Sequence, residues 1–145
     1  MDEISKNMFE KIEKDLLHFA AQKGDIEEVK KLIEEGFDVN RFDDLGMTPL
    51  HYAAMEEHLD IMKFLIDAGA DVDANDETVI GNTPLGQVAG ECSYEAAKIL
   101  VDAGADPNIP GWMRLTALDR AGERKKPEGK KVQKLLSEVM SRRIS

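Results

Sequence analysis

Apolar residues recur along this chain in short bursts of helical spacing, separated by polar stretches that each hold a glycine. Ile4, Met8 and Ile12 lie four apart with Phe9 widening the stripe, which predicts an amphipathic helix over residues 3–14. Leu16, Leu17, Ala20 and Ala21 form the next burst. Across Gly24-Asp25 it is answered by Ile26, Val29, Leu32 and Ile33. The pair returns as Leu50, Ala53 and Ala54, then Leu59, Ile61, Met62, Leu65 and Ile66. A third pair is Leu85, Val88 and Ala89, then Ala96, Ala97, Ile99, Leu100 and Val101. In the last pair, Pro127 and Gly129 are expected to break the chain before a helix carrying Val132, Leu135, Leu136, Val139 and Met140. The pattern predicts an all-α chain of helix pairs.

The punctuation between the bursts repeats as well. Gly36, Gly69 and Gly104 each close the second helix of a pair, as a left-handed C-terminal cap requires. Gly69 follows Gly36 by 33 residues, and Leu50 follows Leu17 by the same interval. Thr48 is placed to cap a helix with Pro49 at its first position, where a missing N–H is harmless. Leu50 points inward, and Ala53 and Ala54 let a neighbouring helix approach. Thr83-Pro84-Leu85 repeats the string 35 residues on, so the intervening loop is two residues longer. Thr116-Ala117-Leu118-Asp119 repeats it more loosely. Gly86 stands where His51 stood, and glycine inside a helix is unfavourable by up to about 1 kcal/mol, so this helix should be the weakest.

The string Thr48-Pro49-Leu50-His51-x-Ala53, in four registered copies, resembles the ankyrin repeat family. The resemblance implies an all-α solenoid of helix-turn-helix pairs with projecting β-turn fingers. It divides a single domain, 1–145, into a helical cap (1–14), repeats at 15–42, 43–75 and 76–110, and a C-terminal capping repeat (111–145). An open-ended stack needs covered ends, and residues 3–14 read as the cover of the first. His18 and His51 are then braces between a helix and the next finger, and His58 belongs to an inter-helix turn. The resemblance also implies a protein-binding concave face built by fingers and first helices. Apolar residues where the stack needs none mark it: Phe42, Leu45 and Met47 at the second finger, Met55 on its helix, Val79 and Ile80 in the lengthened third finger, and Trp112 and Met113 in the fourth. Asp44, Glu56 and Glu91 are the acidic members of the same face.

Charge narrows the partner. The net charge is −10, but residues 1–111 hold 25 acidic against 9 basic side chains, whereas residues 112–145 hold 4 against 10. An acidic body favours a basic protein and disfavours nucleic acid and anionic membrane. Arg124, Lys125, Lys126, Lys130, Lys131 and Lys134 form a basic run without interleaved aromatics, which reads as a solvated end helix. One cysteine, Cys92, allows no internal disulfide and fits a reducing, cytoplasmic setting. The start has no apolar core of signal-peptide length, and no stretch reaches the length of a membrane span.

The expectation is a monomeric, non-catalytic module without a cofactor, one use of which would be to neutralise a toxin enzyme. The alternative is a metal-dependent enzyme using the acidic fingers. Asp71, Asp73 and Asn75 imitate the opening of a calcium loop, but Asp76 replaces its turn glycine and Asn82 its bidentate glutamate.

Overall fold

The computed structural model describes residues 2–79 and 81–144. Among them are nine α-helices and no strand. The N-terminal helix α1 (Glu3–Lys14) is followed by four pairs: α2 (Leu16–Lys23) with α3 (Ile26–Glu34), α4 (Pro49–Met55) with α5 (Leu59–Asp67), α6 (Pro84–Val88) with α7 (Tyr94–Asp102), and α8 (Ala117–Gly122) with α9 (Pro127–Ile144). First helices stack in one row, α2 on α4, α4 on α6 and α6 on α8. Second helices form the other, with α3 on α5, α5 on α7 and α7 on α9.

The rows are held by the residues that carry the repeat. Leu17, Leu50 and Leu85 are fully buried, as are Ala21, Ala53, Ala54 and Ala89, whose small side chains let the first helices close on one another. Val29, Ile61, Met62, Leu65 and Leu100 face them from the second row. At Gly36, Gly69 and Gly104 the backbone is left-handed, with φ of 99°, 102° and 99°. A Cβ there would meet nothing within 4 Å, so these positions call for glycine by handedness and not by space.

Three expectations change. Pro127 and Gly129 do not break the chain before the last helix but belong to its first turn. Proline is suited to the first helical position. Gly129 leaves room for Arg124, which crosses it to donate to the carbonyl of Cys92 at 2.8 Å. The helix α1 forms over the expected residues, with Asp2 accepting from the Ser5 N–H at 2.7 Å, but it packs only lightly on the stack. None of its side chains is buried, because the joint at Asp15 leaves it touching α2 and reaching the second finger through a Lys11–Asp44 ion pair. Finally, the Thr48 hydroxyl turns to the ring of His51 at 2.9 Å, so the first turn of α4 is closed through the imidazole. At α6 and α8 the threonine caps as expected, accepting from Gly86 N and Asp119 N at 3.0 Å. Five residues make α6 the shortest of the described α-helices, in keeping with Gly86.

Candidate protein-binding surface

The second and third fingers are turns tied down by an aspartate. In the second, Asp43 Oδ1 accepts from the N–H groups of Leu45 and Met47, both at 3.0 Å, while Oδ2 accepts from the Tyr52 hydroxyl. Burial, and then the bond to Asp43, raise the Tyr52 phenol above its ordinary range. Gly46 turns the tip at φ 75°, and Leu45 is left 70% exposed. In the third finger Asp76 Oδ1 accepts from Thr78 N and Thr78 Oγ1, at 3.0 and 2.6 Å. Val79 then lies against Gly46, in the place a Cβ would need, which sets the third tip on the second. The fourth tip is a single 3-10 turn, Trp112–Arg114, in which Met113 and Arg114 both adopt φ 60°. Side chains rarely adopt that conformation, and it persists here because neighbours hold it. Trp112 N–H donates to Asn82 Oδ1 at 2.8 Å, and Arg120 donates to the Trp112 carbonyl at 3.2 Å.

Histidines brace the fingers from behind. Nδ1 of His51 takes the Thr48 N–H at 3.0 Å, so the proton sits on Nε2, which donates to the Asn82 carbonyl at 2.6 Å. Burial holds this imidazole down at about 4, opposed by the Asn82 bond, and it is neutral at pH 7. His18 Nε2 lies 2.8 Å from the Arg41 carbonyl and 3.1 Å from that of Met47. His58 Nε2 reaches back to the Gln22 carbonyl at 3.0 Å. The third repeat has Gly86 in the histidine's place, and the bond from Trp112 to Asn82 links its finger to the fourth.

The structure divides the expected contact residues into two groups. Leu45, Val79, Trp112 and Met113 are exposed, at the second, third and fourth fingertips. Met55 and Glu91 line a separate shallow hollow of about 270 Å³ with Ala54, Glu57, Val88 and Cys92, at the far ends of α4 and α6. Seven residues of α4 hold the groups apart, about 10 Å of helix. Phe42 and Met47 are half-buried; Asp44 and Glu56 are exposed. Ile80 lies outside the described residues. Phe19, 49% exposed on α2, went unread in the sequence, although it stands 33 residues before Tyr52 and so shares its position on the first-helix row.

The acids of the fingers serve mainly as local acceptors. Lys11 holds the Asp44 carboxyl below the ordinary range through their hydrogen bond. Asp71 Oδ1 accepts from Asp73 N at 2.9 Å, and Asp73 Oδ1 from Asp106 N at 2.8 Å, so the calcium-like string braces two turns. Among the described residues no group of three or more His, Cys, Asp or Glu is placed to hold a metal ion. Cys92 is buried, its thiol pushed up to about 11 by that burial. Among them, too, no helix is long and apolar enough to cross a membrane.

A family model described as ankyrin repeats (3 copies) matches residues 17–111, which is 95 of the 145 residues. No curated protein matches the chain. The fourth pair, α8 and α9, lies beyond the matched span.

Proposed function

The chain belongs to the ankyrin-repeat family, and on that premise we propose that it is a non-catalytic module that binds a basic protein along its fingertips and first helices. The observation that carries this reading is the exposure of the apolar tips Leu45, Val79, Trp112 and Met113, set on an acidic body. Apolar anchors supply the free energy of such contacts, and surrounding charge supplies the rate and selectivity. Trp112 has the properties of an anchor, being large, 51% exposed and held through its backbone before any partner arrives. An acidic stack of this size, whose activity is to bind, suits a cytoplasmic inhibitor that neutralises a basic enzyme, as an immunity protein neutralises a nuclease toxin.

The test uses the immobilised protein to isolate its partner, followed by Leu45→Asp combined with Trp112→Asp. Both side chains are exposed, so the melting temperature should stay within a few degrees of the parent while partner capture falls at least a hundredfold. Undiminished capture by the folded double variant would remove the fingertips from the interface. Met47 is a poorer choice, since it is half-buried and its carbonyl faces His18.

A further inference from the structure

The fourth finger lacks the residue that fastens the second. Asp43 and Gly111 hold the same place, since each donates its N–H to the carbonyl of the residue before a motif threonine, Met47 at 2.9 Å and Leu115 at 3.0 Å. Asp43 then turns its carboxylate onto N–H groups of its own finger, as Asp76 does in the third. Gly111 has no side chain to turn. The Leu115 carbonyl also goes without the imidazole that reaches the Met47 carbonyl, because Gly86 stands where the histidine would be. Yet this tip needs fastening most. Met113 and Arg114 both sit at φ 60°, where residues other than glycine rarely stay unless their neighbours hold them.

The fastening comes from the neighbouring repeat. Asn82, at the base of the third finger, sends its amide across, and Oδ1 accepts from the Trp112 N–H at 2.8 Å. The other end of the amide is occupied as well, with Nδ2 donating to Gln87 Oε1 at 3.0 Å. Oδ1 takes the room of the missing side chain: a Cβ on Gly111 would lie 1.9 Å from it. The backbone of Asn82 is itself anchored, because its carbonyl accepts from His51 Nε2 at 2.6 Å. The brace absent from the third repeat is thus supplied by the second, relayed through one asparagine. We infer that Asn82 is the positioning residue of the binding surface: from the next repeat, its amide replaces the aspartate that the fourth finger lacks, and it sets Trp112 and Met113 in place before a partner arrives. The use of that tip in binding rests on the fingertip reading; its fastening does not.

Nuclear magnetic resonance of the free protein tests the fastening. Asn82→Ala keeps the His51 bond, which goes to the backbone carbonyl, so the melting temperature should stay within a few degrees of the parent. Exchange of the Trp112 N–H should become at least about tenfold faster. Order parameters at Trp112, Met113 and Arg114 should fall from above about 0.8 to below about 0.6, with those of the second tip unchanged. Asn82→Asp keeps an acceptor for Trp112 and should restore both readouts, the Gln87 amide turning to donate. Gly111→Ala attacks the same contact from the other side and should loosen the tip as Asn82→Ala does. With the partner isolated on the immobilised protein, Asn82→Ala should weaken binding about tenfold or more, since the tip must then be ordered on contact, and Asn82→Asp should recover it. Unchanged exchange in the folded Asn82→Ala variant, or an aspartate that behaves as the alanine does, would overturn the assignment. So would a loosened tip that binds the partner as tightly as the parent. If Leu45→Asp with Trp112→Asp still abolished capture in that case, the fingertips would remain the interface and only the role of Asn82 would fall.

Discussion

His51 shows how one side chain can carry a repeat. Its ring closes the first turn of α4 through Thr48 and crosses to the next finger through the Asn82 carbonyl, with no exposed surface. Both bonds need the neutral ring with its proton on Nε2. The folded value of about 4 lies below the ordinary 6.5, so between those values the unfolded chain binds the proton and the folded one does not. The stabilisation is complete above pH 6.5 and is lost as the pH falls toward 4. Urea unfolding at pH 7 and pH 4.5 should differ by on the order of 2–3 kcal/mol from this group, and His51→Gln should remove most of that difference. An equal pH dependence in the variant would place the effect elsewhere. The brace was legible in the sequence because His18 and His51 stand 33 residues apart, at the same place in the repeat. Its replacement at Gly86 was legible too, but not the remedy, since nothing in the order of residues says that the Asn82 amide will take the backbone of Trp112.

At the scale of elements, period and punctuation carried most of the fold. Bursts spaced 33 to 35 residues apart, with a glycine after the second helix of each of the first three pairs, leave few alternatives to a stack of pairs. Where the reading slipped, the reason was tertiary. Pro127 and Gly129 look like breakers, but a proline starts helices well, and the glycine admits Arg124. The stripe on α1 was correctly periodic, yet periodicity shows that a face is apolar and not what covers it. Two outcomes follow for the helices. Leu50→Ala removes a fully buried side chain between first-row helices and should lower stability by roughly 2–5 kcal/mol in urea unfolding. A loss below about 0.5 kcal/mol would put that residue outside the core. Amide exchange should find α6 the least protected of the first-row helices, since it is five residues long and carries a central glycine.

The whole molecule is electrically lopsided, with its acidic residues in the first three pairs and basic side chains gathered beyond residue 112. Part of the basic end is structural. Arg124 reaches the Cys92 carbonyl, and Arg143 reaches the Gly104 carbonyl at 2.9 Å and Asp106 at 3.7 Å. The acidic body is what a partner meets at long range. Association with a basic partner should slow by an order of magnitude or more between about 0.05 and 0.5 M salt, while dissociation changes little. A flat salt series in surface plasmon resonance would assign the acidity to solubility alone. The site was only partly legible at this scale. Finger positions could be read from the repeat register, but which tips end exposed depends on Val79 folding over Gly46 and on the left-handed turn at Met113 and Arg114.

The fourth fingertip has a practical consequence. Trp112 is the only tryptophan in the chain, and it stands half in water on that tip, away from the stack's interior. Its emission is therefore a poor witness to melting of the helices and a sensitive one to whatever settles over the tip. A blue shift on adding a partner, with quenching by iodide suppressed, would report occupancy without any label.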